Sequence, residues 1–161
     1  MPPRARARLP TGSIERVSDA NAAQPSSEPL KVLVYSDDAN TRSQVMNALG
    51  KRPHPDLPSV EYVEVTTGSV VIKQMDSGLI DLAILDGEAV PAGGMGIAKQ
   101  LKDEIYRCPP LLVLTGRPLD AWLATWSRAE AALPHPIDPL QLGEAVTRLL
   151  RGRVPASSST R

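Results

Sequence analysis

The chain has 161 residues, 42% hydrophobic and 22% charged, with a formal net charge of +0 at pH 7. That is room for one domain with a real core plus tails, and it offers no overall pull toward nucleic acid or an acidic membrane surface. One cysteine excludes an intramolecular disulfide, two histidines make a structural zinc site a poor expectation, and an aromatic content of 3% without Phe calls for an aliphatic core.

Residues 1–29 are rich in Pro, Ala, Ser and Arg and poor in large apolar groups. Such a segment buries too little surface to offset its ordering entropy, so it is expected to be a disordered arm. Its arginines Arg4, Arg6, Arg8 and Arg16 suit either a solvated tail or an acidic partner. No apolar stretch follows them, so the start does not read as a secretory signal. No run is long and apolar enough for a membrane span, and a reducing cytoplasm is the expected location.

From residue 30 the pattern alternates. "KVLVY" (31–35) reads as a strand, and "TRSQVMNALG" (41–50) as a helix stopped by Gly50. "KRPHPDLPS" (51–59) is a loop because its prolines forbid regular structure, which leaves His54 as a solvated loop residue. "VEYVEVT" (60–66) alternates like a strand, and "SVVIKQMDSG" (69–78) suits a helix ending at Gly78. Ahead of that helix Gly68 could cradle an anion, but a lone glycine is a weak signal. "DLAIL" (81–85) is a near-continuous apolar strand, and "GIAKQLKDEIY" (96–106) sets Ile97, Leu101 and Ile105 at helical spacing. "LLVLT" (111–115) is another buried strand, and "PLDAWLATWSRAEA" (118–131) opens with Pro as a helix start does. "ALPHP" (132–136) is a short strand, and "DPLQLGEAVTRLLR" (138–151) starts with Asp as cap and Pro at the first turn. "GRVPASSSTR" (152–161) is expected to be a disordered tail.

Five strand–helix units with uniformly apolar strands imply a parallel sheet covered on both faces. In such sheets the functional groups gather at the carboxyl ends of the strands. There the sequence offers Ser36–Asp37–Asp38, Thr66–Thr67, Asp86–Gly87–Glu88, Thr115–Gly116 and His135–Pro136. Asp37 and Asp86 are oxygen ligands of the kind Mg²⁺ takes, Thr115 has a hydroxyl for a phosphoryl oxygen, and His135 is a candidate cation. Asp86 at the end of an apolar run also has a plainer reading, as turn chemistry.

With those residues in place, 31–151 resembles a response-regulator receiver domain, the CheY-like fold, and is expected to be a stand-alone one. The resemblance implies a flavodoxin-like (βα)5 three-layer sandwich with five parallel strands in the order 2-1-3-4-5. It implies Asp86 as phosphoacceptor, Gly94 as the loop glycine eight residues later, Thr115 and the small Gly116 at the fourth strand, and His135 where the family has lysine. The metal-binding acidic pair falls on Ser36 and Asp37. Mg²⁺ would sit on Asp37, Asp86 and the backbone carbonyl of Glu88, weakened because Ser36 replaces a carboxylate. The aromatic switch position falls on Ala132, and the loop proline, Pro91, stands one place late.

Each departure has a consequence. Ser36 removes an anionic arm, for which Asp38 stands one position too far along. His135 carries no permanent charge, unlike lysine, and Ala132 has no ring to swing. A phosphoryl group brings roughly −1.5 to −2 charges, so the expected function is that of an atypical single-domain regulator. It would be a signalling and protein-interaction module with impaired or absent phosphorylation, and no enzyme. The alternative is a phosphorylatable receiver that takes a phosphoryl group from a histidine kinase onto Asp86 with Mg²⁺. A flavodoxin-like small-ligand binder is a distant third, because no GxGxxG is present.

Trp122 and Trp126 stand four apart and share one helix face. They are either packing residues or an apolar patch on the face of the fourth helix, fifth strand and fifth helix, which receivers use to dimerise or dock. The implied partners are therefore a histidine kinase or downstream target and a second copy of the chain, with no nucleic acid and no membrane. Cys108, between Arg107 and Pro109, is expected to be an unreactive loop thiol.

Overall fold

In the computed structural model, residues 28–116 and 121–154 are described. The expected arm therefore lies outside the described residues up to position 27, as do residues 118–120 of the fourth helix and 155–161 of the tail. Five strands, β1 (Leu30–Tyr35), β2 (Val60–Val65), β3 (Leu82–Asp86), β4 (Leu111–Thr115) and β5 (Ala131–Pro134), form one parallel sheet in the order β2-β1-β3-β4-β5. Helices α1 (Ala39–Leu49), α2 (Gly68–Asp76), α3 (Gly94–Glu104), α4 (Ala121–Ser127) and α5 (Pro139–Arg151) alternate with them. This is the flavodoxin-like arrangement expected from the alternation.

The period of two along each strand divides the core. Val32, Val34, Leu82, Ile84, Leu112 and Leu114 point to one face and meet Val45 and Leu49 of α1 and Leu142, Val146 and Leu150 of α5. Leu33, Tyr35, Ala83, Leu85, Leu111 and Val113 point to the other, against Val71 and Met75 of α2 and Ile97 and Leu101 of α3. β3 and β4 are buried along their whole length, which is why they read as unbroken apolar runs. Each such leucine or isoleucine contributes roughly 1.5–3 kcal/mol relative to an exposed one.

Local signals set most ends. Asp38 caps α1, its side chain accepting from Asn40 N, so the helix begins at Ala39 rather than 41. Asp138 caps α5 by accepting from Leu140 N and Gln141 N, with Pro139 in the first turn. Gly50 ends α1 at φ 66, a left-handed conformation that glycine adopts without steric cost.

Four expectations need correction. α4 ends at Ser127, not 131: Arg128 turns to φ 64 and the chain enters β5 at Ala131. α3 starts at Gly94 rather than 96 and stops at Glu104, with Ile105 extended. His54 is not simply solvated, because its Nδ1 accepts from Asp56 N at 3.1 Å and its ring lies against Arg151 of α5. Residues 152–154 stay with the fold: Arg153 reaches Asp81 at 3.6 Å and Val154 packs on the core.

Candidate functional site

β3 delivers Asp86 to the carboxyl end of the sheet, with Leu85 beside Tyr35 of β1 and Asp86 beside Leu114 of β4. A carboxylate that is 3% exposed has lost its water, so its oxygens must be satisfied by the chain. They are. Oδ2 accepts from Ser36 Oγ at 2.7 Å. Oδ1 accepts from Glu88 N at 2.9 Å and faces His135 Nε2 at 3.1 Å.

Ser36 is fully buried, and its hydroxyl is used twice, donating to Asp86 and accepting from Asp38 N at 3.0 Å. Asp37 turns its Oδ1 to Val90 N at 3.3 Å, across to the loop after β3. Asp38 does not compensate for Ser36: its oxygens serve Asn40 N and Thr41 Oγ1 in the cap of α1. Thr115 closes β4, buried, and its carbonyl accepts from His135 N at 2.8 Å, which brings the imidazole toward Asp86. Ala132 pairs with Val113 in the sheet and is half-buried.

The glycines mark close approaches. A Cβ at Gly94 would lie 2.9 Å from the carbonyl of Asp86, so the first turn of α3 is pressed onto the strand end. A Cβ at Gly116 would overlap the carboxylate of Glu88, which lies across the loop after β4. Gly68 has a packing role: its Cα faces the side chains of Ile97 and Ala92, and nothing about it points to an anion.

Two residues were missed from the sequence. Tyr35 sits in the apolar run of β1, yet its hydroxyl donates to Ala92 O at 2.5 Å and ties down the loop after β3. Burial raises its pKa, and the charges of Asp37 and Asp86 push the same way. Arg42 on α1 donates to Ser36 O at 2.7 Å and to Glu64 at 3.0 Å, so this guanidinium is already committed. A buried tyrosine before an acidic cluster, and an arginine one helical turn past the cap, were the only available signals.

Together Asp37, Asp38, Thr41, Asp86, Glu88 and His135 line a hollow of 370 Å³. A larger hollow of 540 Å³ runs along α5 from Leu140 to Arg151, away from this chemistry, with its Arg151 held by Asp56. Mg²⁺ asks for near-octahedral oxygen donors, usually one or two carboxylates with waters. Asp37 and Asp86 are two carboxylates on one hollow, but three donors already occupy Asp86 and Asp38 is spent as a cap. Among the described residues no group of three His, Cys, Asp or Glu is disposed to hold a metal ion. The set fits poorly the ion that the resemblance implied, because one of its two carboxylates already holds three donors.

Trp122 and Trp126 are exposed, and Lys99 of α3 lies 5.6 Å over the Trp126 ring. Burial pushes the Cys108 thiol up, away from thiolate character. No described helix is long and apolar enough to cross a membrane.

No family model matches the chain. Two curated proteins of Mycobacterium tuberculosis, each called an uncharacterized response regulatory protein, are 71% identical to it over 126 residues, 78% of this chain and 95% of theirs. Among solved structures, the chemotaxis response regulator CheY4 of Vibrio cholerae superposes with a TM-score of 0.63 at 22% identity, over 76% of this chain and 99% of that one. A CheY-like receiver domain protein of Methanospirillum hungatei gives 0.63 at 15% identity, over 78% and 97%. The receiver domain of NtrX from Brucella abortus gives 0.61 at 17% identity, over 74% and 98%.

Proposed function

The chain belongs to the response regulators and carries their CheY-like receiver fold, and on that footing we propose that it signals as a protein-interaction module in which Asp86 is a poor phosphoacceptor. One observation carries the reading: both oxygens of Asp86 are held from within, Oδ2 by Ser36 and Oδ1 by His135 and Glu88 N. Three of the roughly four acceptor positions of Asp86 are taken, which leaves only the second lone pair of Oδ2 for in-line attack on a phosphoryl group. The product would then place roughly −1.5 to −2 charges beside Asp37, Asp38 and Glu88. Catalysis of this transfer is mostly charge stabilisation, and His135 is the one group in the hollow that can turn cationic.

The partners that suit this reading are a histidine kinase or a downstream target, and a second copy of the chain meeting it over α4, β5 and α5. Trp122 and Trp126 supply exposed apolar area there, of the kind that dominates binding energy at interfaces. A second reading has Asp86 accept a phosphoryl group with Mg²⁺. Asp37 and Asp86 on one hollow, with Thr115 at the next strand end, favour it.

Intact-protein mass after incubation with acetyl phosphate and Mg²⁺ separates the two. The wild-type chain is expected to stay unmodified, as Asp86→Asn does, while Ser36→Asp combined with His135→Lys gains a labile phosphoryl adduct. An adduct on the wild type that Asp86→Asn abolishes refutes the reading.

A further inference from the structure

We infer that Ser36 makes the acidic end of the sheet independent of divalent cations, by putting a neutral donor where a second carboxylate would need one. The inference deepens the reading of Asp86 above and rests on it for the identity of the site. Its physical basis is separate.

Asp86 and residue 36 are in direct contact, 2.7 Å apart, and both are almost completely buried. Two carboxylates at that distance cannot both be ionised in so dry a place without a cation between them. A hydroxyl removes the conflict. Its single proton points at Asp86 Oδ2, and its oxygen takes the N–H of Asp38, so the group is fixed in orientation. The bridge from β1 to β3 that a shared cation would make is made by one hydrogen bond. On the other oxygen, Glu88 N and His135 complete the replacement for lost water. What remains for a cation on this hollow is Asp37, whose Oδ1 already accepts from Val90 N, and Glu88. With a hydroxyl rather than a carboxylate at position 36, the hollow lacks one anionic arm for an ion that parts reluctantly with its water.

A clear signature follows from linkage: an ion that binds only the folded chain raises its melting temperature, and one that does not bind leaves it unchanged. The experiment uses the full chain, with Mg²⁺ and Mn²⁺ as probes, read by titration calorimetry and by thermal unfolding through the emission of Trp122 and Trp126. Wild type is expected to give no saturable binding and a melting temperature that does not move with either ion. Ser36→Asp is expected to melt lower than wild type without metal, and to gain saturable binding and about 5 °C or more of recovery with it. Ser36→Ala is expected to melt lower and gain nothing, which separates loss of the hydrogen bond from gain of a ligand.

Saturable Mg²⁺ or Mn²⁺ binding by wild type that Asp37→Asn abolishes overturns the inference, and so does a folded Ser36→Asp indifferent to both ions. If Ser36→Asp does not fold, the wild-type titration with its Asp37→Asn control still decides. Because no phosphoryl donor is present, this result is independent of the adduct experiment: a chain can fail here and still refuse phosphate, or pass here and still accept it.

Discussion

On the β1–β3 side of the hollow, four side-chain hydrogen bonds bind the strand ends and the following loop together. On the β4–β5 side a single imidazole does so. Tyr35, Ser36 and Asp37 are consecutive, and each reaches across to the end of β3 or to its loop, while Glu88 N closes back onto Asp86. β5 has only four residues, all half-buried, with Ala132 where the resemblance implies an aromatic ring, and its link to the site is His135 at 3.1 Å. The parts that hold the acidic residue in place are elaborate, and the parts that would carry a change outward along β5 are reduced. This is the distribution that the proposed reading of Asp86 as a poor phosphoacceptor calls for.

The asymmetry can be broken one contact at a time. Ser36→Ala strands the buried Asp86 Oδ2 and the N–H of Asp38, and should cost about 1–3 kcal/mol in denaturant unfolding. A loss no larger than that of a surface change would mean the β1–β3 side is not the rigid one. Tyr35→Phe keeps the ring and removes only the hydroxyl on Ala92 O. It should cost about 1 kcal/mol and speed amide exchange across residues 87–93 while leaving β5 as it was. His135→Ala, on the other side, should cost less than about 1 kcal/mol, since the ring is partly exposed and Asp86 keeps two other donors. A loss equal to that of Ser36→Ala would erase the contrast.

The smallest effect is alkaline. Burial raises the pKa of Tyr62 to about 12 and that of Tyr35 above 10.0. Both favour the protonated phenol in the folded chain, so their contribution is complete below the unfolded value of 10.0 and is lost as the pH climbs through the folded one, about 12 for Tyr62. Stability should therefore fall over that window. Tyr62→Phe should flatten the fall, and an unchanged slope would show that the phenol titrates as if free.

How far the chain explains itself from sequence follows the range of the interaction involved. β3 and β4 were plain because both of their faces are covered, and α5 because Asp138 and Pro139 mark its start within two residues. Asp37, Asp86 and His135 were placed because strand ends collect at one edge of a parallel sheet. Ser36 was read only as a missing charge, since its bond to Asp86 joins residues fifty apart and leaves no local trace. Tyr35 was hidden for a related reason: a strand residue with an apolar body looks like core until its hydroxyl is seen to reach Ala92. The end of α4 is not legible in the sequence because helix-forming residues continue past Ser127, and the turn at Arg128 depends on where β5 must join Leu112.

Gly94 fixes one more relation. No Cβ fits between the opening turn of α3 and the carbonyl of Asp86, so helix and strand end lie main chain against main chain like the two leaves of a hinge. At the next turns of that helix Lys99 rests on Trp126. Main chain and helix therefore join the buried carboxylate to the exposed indoles without β5, and a methyl group added at position 94 would have to push the first link apart.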